Sequence, residues 1–119
     1  MKFIVEPQAT TKEVRDQFMA KFPGLKIEFF RNSHDENEGS HKKDMVAEEI
    51  PLSQLEPSYQ SNTLSISPST TVSELEELFE DVNLHVQVFR KMGPNWIETT
   101  RTDSYTLKEQ QELSSASRL

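Results

Sequence analysis

The chain has three histidines and no cysteine, so any catalytic or metal chemistry would have to be built from histidine, carboxylate and hydroxyl groups. His34 and His41 flank Asp35, Glu36 and Glu38 in one stretch, Asn32 to Lys43, a mixture of nitrogen and oxygen donors that superficially suits a metal ion. A metal site needs its ligands fixed by outer hydrogen bonds on ordered backbone. This stretch contains no apolar residue to anchor it, so a long loop with no resident metal or cofactor is expected. His85 falls on the polar side of a strand pattern, and no serine or threonine is spaced to act with it as nucleophile. Glu74, Glu76, Glu77, Glu80 and Asp81 crowd one helix, where spacings of three and four place like charges together. Acid–base cleavage of a glycoside needs opposed, differently buried carboxyls instead. Gly24, Gly39 and Gly93 are far apart, so no glycine-rich phosphate cradle is present. The expectation is a protein that is not an enzyme.

The functional signal lies in the aromatic residues. In Leu84-His-Val-Gln-Val-Phe-Arg90, alternation puts Leu84, Val86 and Val88 on one face and His85, Gln87 and Phe89 on the other. The earlier run Leu25-Lys-Ile-Glu-Phe-Phe-Arg31 divides in the same way and sends Lys26, Glu28 and Phe30 to the second face. Phe30 with Arg31 and Phe89 with Arg90 therefore stand at matching places, and Trp96 joins them from the next strand. Aromatic and arginine residues on an otherwise polar surface are what interface hot spots look like. The expected binding residues are Phe30, Arg31, Phe89, Arg90 and Trp96. Coverage of Phe30 and Phe89 within the monomer is the competing reading.

The elements that must position them read as one unit met twice. Phe3-Ile-Val-Glu-Pro7 aligns with Leu64-Ser-Ile-Ser-Pro68, each a short strand ended by a proline that cannot continue a ladder. Thr10 with Glu13, and Thr71 with Glu74, then fit the capping box that opens a helix. Val14, Phe18 and Phe22 line the first helix; Val72, Leu75, Leu78, Phe79 and Val82 line the second. Pro23-Gly24 and Asn83 end these helices, and the two strands above follow. The second copy turns through Met92-Gly-Pro-Asn95 into Trp96-Ile-Glu-Thr-Thr100, a β-hairpin. A return strand near Met45–Glu49 and a short helical turn at Pro51–Leu55 would continue the first copy. A third capping box, Thr106 with Glu109, opens a short C-terminal helix.

The expected architecture is one α+β domain over residues 1–119, with repeat halves near 1–56 and 62–119. It has a mixed or antiparallel sheet, two helices on one face of it, a duplicated β-α-β-β unit and a C-terminal helix. At 34% hydrophobic and 28% charged, the chain is polar but long enough to bury a core. It has no transmembrane run and no secretory signal pattern, which together with the missing cysteines favours the cytosol. A net charge of −7 disfavours binding to phosphate backbones and anionic membranes.

Leu84-His-Val-Gln-Val-Phe-Arg-Lys91, Trp96-Ile-Glu-Thr-Thr100, Thr102-Asp103 and Thr106-Leu-Lys-Glu-Gln110 resemble a family of small, acidic bacterial proteins of unknown function. Phe22-Pro-Gly-Leu-Lys-Ile-Glu-Phe-Phe30 extends the resemblance into the first half. The chain departs from that pattern at Tyr105, where tryptophan is usual, and at Asn83, near a usual glycine. The resemblance implies one bacterial domain and supplies no catalytic residue. The leading expectation is a non-enzymatic protein-interaction module, its partner a second protein or a second copy of the chain. A single-strand nucleic-acid binder using the same aromatics is the alternative.

Overall fold

A computed structural model describes residues 2–31 and 44–114 of the chain. The expected loop over 32–43, with His34, His41 and the acids between them, lies outside the described residues. The elements run β1 (Lys2–Val5), α1 (Thr11–Lys21), β2 (Leu25–Phe30), α2 (Leu52–Leu55), β3 (Asn62–Ser65), α3 (Val72–Glu80), β4 (His85–Met92), β5 (Asn95–Glu98) and α4 (Leu107–Leu113). This is an α+β fold. A 3-10 turn, Thr100–Thr102, links β5 towards α4.

Among the described residues all strand pairing is antiparallel, and it is divided between two sheets. The expected single sheet is replaced by a β1–β3 ribbon and a three-stranded sheet in the order β2-β4-β5. Pro7 and Pro68 end the outer strands before each helix, and pairing then occurs between the halves. Phe3 faces Leu64 in the ribbon, and Glu28 faces Gln87 in the larger sheet. The expected return strand at Met45–Glu49 reduces to one bridge, Phe30 with Met45, beside the bond from Val46 N–H to the Phe29 carbonyl.

Helices begin where side chains satisfy the free amides of the first turn. The three threonine–glutamate boxes are all formed, with Thr10, Thr71 and Thr106 as N-caps. Asn83 takes a left-handed φ of 62° after α3, a conformation asparagine tolerates better than most residues. Gly93 has φ 61° at the first centre of the β4–β5 turn. Pro94 follows it and cannot adopt positive φ, so the turn is of the II′ kind, which reserves its first centre for glycine.

The core is apolar and continuous. Phe3, Val5, Leu64 and Ile66 from the ribbon meet Val14, Phe18 and Phe22 of α1 and Leu75 and Phe79 of α3. The inner face of the larger sheet adds Leu25, Ile27, Phe29, Leu84, Val86 and Val88. Phe29 meets Phe79 edge-on at 6.0 Å, and the Phe18 and Phe22 rings meet tilted by 40° at 5.2 Å. Phe30, though only 3% exposed, is not part of this core; it is buried on the other side of the sheet.

The backbone bonds of the two halves correspond closely. Thr11 N–H reaches the Ile50 carbonyl at 2.9 Å, and Val72 N–H reaches that of Tyr105 at 3.0 Å. Leu52 N–H bonds Ala9 O at 2.9 Å; Leu107 N–H bonds Thr70 O at 2.8 Å. Ser53 N–H and Lys108 N–H donate to the carbonyls of Pro7 and Pro68, both at 3.0 Å. The short α2 thus docks in the first half as α4 docks in the second. Sequence periodicity had set α4 apart as an addition.

Candidate functional site

Alternation along the larger sheet fixes which side chains share its outer face. Lys26 lies opposite Phe89, Phe89 opposite Glu98, and Lys91 opposite Trp96. Directly opposed residues point to the same side. Lys26, Glu28 and Phe30 of β2, Phe89 of β4, Trp96 and Glu98 of β5, and Met45 beside Phe30 line one cleft of about 310 Å³. Of these, Phe89 and Trp96 are half-buried, while Phe30 is buried.

Of the five expected binding residues, the structure brings three together: Phe30, Phe89 and Trp96. Arg31 sits past the end of β2, exposed, with its guanidinium 3.2 Å from the Glu48 carboxylate. Arg90 follows Phe89 and therefore points to the opposite face, where Nη1 donates to Gln110 Oε1 of α4 at 2.7 Å. Its Nε is buried without a partner. The Phe89–Arg90 pair thus splits across the sheet, because successive strand residues cannot share a face, while Arg31 lies beyond the strand.

The outer face is less open than its polar sequence implies. Gln87 is fully buried, and its Oε1 has no hydrogen-bond partner. Glu28 is 9% exposed and accepts a 2.7 Å bond from Arg15, which reaches over the sheet edge from α1. A shallow groove continues outward from there between Trp96 and the α1 residues Lys12, Arg15, Asp16 and Met19. At the matching place on α3, Glu76 is buried and accepts the Val88 N–H at 3.2 Å.

Cations are packed against the aromatic rings. The Lys26 ammonium lies 4.8 Å from the centre of the Trp96 ring, 5.5 Å from that of Phe89 and 3.6 Å from a Glu28 oxygen. The Lys91 ammonium lies 5.2 Å from the Trp96 ring centre. Lys26, Glu28, Glu98 and Met45 were not among the expected binding residues. Lys26 and Glu28 were readable from the same alternation that selected Phe30. Met45 was not, because its place depends on a bridge formed across residues 32–43.

A second cavity of about 300 Å³ lies near the other end of Phe30, lined also by Arg31, Leu55, Glu56, Asn83, Leu84 and His85. His85 Nδ1 is 3.0 Å from a Glu80 carboxylate oxygen, which orients the ring. Among the described residues that line this cavity there is no serine, threonine or cysteine. Among the described residues, no group of three or more histidines and acids is placed to hold a metal. No described helix is long and apolar enough to cross a membrane.

No protein-family model, curated protein or solved structure matches the chain.

Proposed function

We propose that the chain is a non-enzymatic protein-interaction module working in the cytosol, and that it engages its partner through the outer face of the β2-β4-β5 sheet. One observation carries this reading. Phe30, Met45, Phe89 and Trp96 converge on a single cleft in a surface that is otherwise strongly charged. Half-buried aromatic side chains lining a cleft offer large apolar area at little cost in conformational entropy, the property that makes such residues binding anchors. The nucleic-acid reading has less support. The ammonium groups of Lys26 and Lys91 already lie over the ring on which a base would have to stack.

The test is affinity capture from a bacterial lysate with and without nuclease, comparing the wild type with a Phe89→Ala, Trp96→Ala variant. Phe30 is left intact because truncating a buried phenylalanine costs about 3–5 kcal/mol and would confuse unfolding with lost binding. Proteins retained after nuclease and lost with the variant support the module. Capture abolished by nuclease moves the assignment to nucleic acid. Capture unchanged by the variant removes the cleft from the function.

A further inference from the structure

Surface lysines ordinarily keep their ammonium groups in water while the stem lies along apolar surface. Lys26 departs from that habit: its side chain is only 22% exposed, and its ammonium faces two aromatic rings and a carboxylate. The electron-rich ring faces attract a cation, and Glu28 adds its full negative charge. Met45 and Glu98 complete the lining with a polarisable sulfur and a second acid. The two ring faces and the two carboxylates of this pocket favour a positive group.

Resting on the interaction reading above, we infer that the cleft is a socket for a lysine or arginine side chain of a basic partner segment, occupied in the free protein by Lys26. Charge complementarity selects that occupant. The chain carries −7, and between Asp44 and Phe89 it contains acids but no lysine or arginine, so its field draws basic segments towards it. An anionic partner finds less to hold. Arg15 is taken by Glu28 and Lys12 by Asp16, both at 2.7 Å, so an anion would have to break one of these pairs. An incoming cation exchanges like for like. Lys26 swings its flexible stem to solvent, and Glu28 keeps its bond to Arg15.

Trp96 is the chain's one tryptophan, so its emission reports on the socket alone. The experiment titrates a short lysine-rich peptide, and an aspartate-rich peptide of equal length, into the full chain and into Lys26→Thr, with calorimetry as a second readout. Threonine vacates the socket and suits a strand. The lysine peptide is expected to shift Trp96 emission and to bind Lys26→Thr about fivefold more tightly, the scale of one released cation–ring contact. Tighter binding of the aspartate peptide overturns the socket, as does a lysine-peptide affinity unchanged or weakened by Lys26→Thr. Silence from both peptides also overturns it, while lysate capture decides the interaction reading separately. If Lys26→Thr does not fold, Phe89→Leu must weaken the lysine peptide several-fold, or the inference falls.

Discussion

Phe30 closes β2 and Phe89 lies in the middle of β4, where alternation puts both on one face, yet one is buried at 3% and the other stays half-buried. The neighbouring arginines differ as much. Arg31 makes an exposed ion pair with Glu48, of a kind worth little in water. Arg90 is drawn under α4 to Gln110. Backbone bonding does not explain the contrast, because both halves dock their helices through the same carbonyls. The return path does. In the second half a two-residue turn fixes β5 against β4 at once and delivers Trp96 opposite Lys91. In the first half the described chain meets β2 again at the Phe30–Met45 bridge, so Met45 lies beside Phe30. Matching helix-docking bonds with unequal return segments leave the aromatic cleft on the side where β5 pairs with β4.

If the frame is truly common, matched core residues should weigh alike. Phe18→Ala and Phe79→Ala remove fully buried rings at equivalent helical positions, and each is expected to cost about 3–5 kcal/mol in denaturant unfolding. A loss below about 1 kcal/mol at either site would deny that position a full share in the core. The next contrast is between Arg15 and Glu76, which match on α1 and α3 but differ in chemistry. Glu76→Ala strands the Val88 N–H inside the protein and is expected to cost about 1–3 kcal/mol. Arg15→Ala leaves the largely buried Glu28 carboxylate still paired with Lys26 at 3.6 Å, and its expected cost is smaller, about 1 kcal/mol. Equal losses would mean that burial at Glu76 matters less than its bond geometry implies. Thr10→Ala and Thr71→Ala should then cost about 1 kcal/mol each, because both remove half of a formed capping box. Unequal melting temperatures for these two would place the asymmetry in the helices as well as in the return segments.

Periodicity and end signals carried most of the local structure. The capping boxes, the helical stops at Gly24 and Asn83, and the Gly93 turn were all readable because each depends on residues a few places apart. Phe30, Phe89 and Trp96 were readable as sharing a face for the same reason. What escaped was whatever depends on pairing between distant segments. Two sheets formed instead of one because β1 pairs only with β3. Gln87 is buried although its face reads as polar, and Arg15 crosses from a helix to reach Glu28. The misplacement of Arg90 is of another kind. Strand alternation puts it on the face opposite Phe89, so two residues adjacent in sequence do not act on one surface.

Tyr59 gives the smallest expected effect and the cleanest test of where the halves are joined. It lies in the connector between them, 7% exposed, and its hydroxyl donates to the Val5 carbonyl at 2.7 Å. Val5 is in turn paired with Asn62 across the β1–β3 ribbon, so one phenol ties the connector to the pairing that unites the halves. Tyr59→Phe leaves that carbonyl without its donor and is expected to cost about 0.5–1 kcal/mol at neutral pH. Burial, followed by the nearby Glu6 charge, raises the Tyr59 pKa above the ordinary tyrosine value. The neutral phenol is therefore favoured more in the folded chain than in the unfolded one. Below about pH 10 both states hold the proton and this stabilisation is fully present. As pH rises further the unfolded chain ionises first, and the stabilisation is lost as pH passes through the raised folded value. Wild-type stability should accordingly fall more steeply above pH 10 than that of Tyr59→Phe, which has no phenol to titrate there. Parallel decline of the two proteins in urea unfolding across that range would show that the hydroxyl is not held inside the joint between the halves.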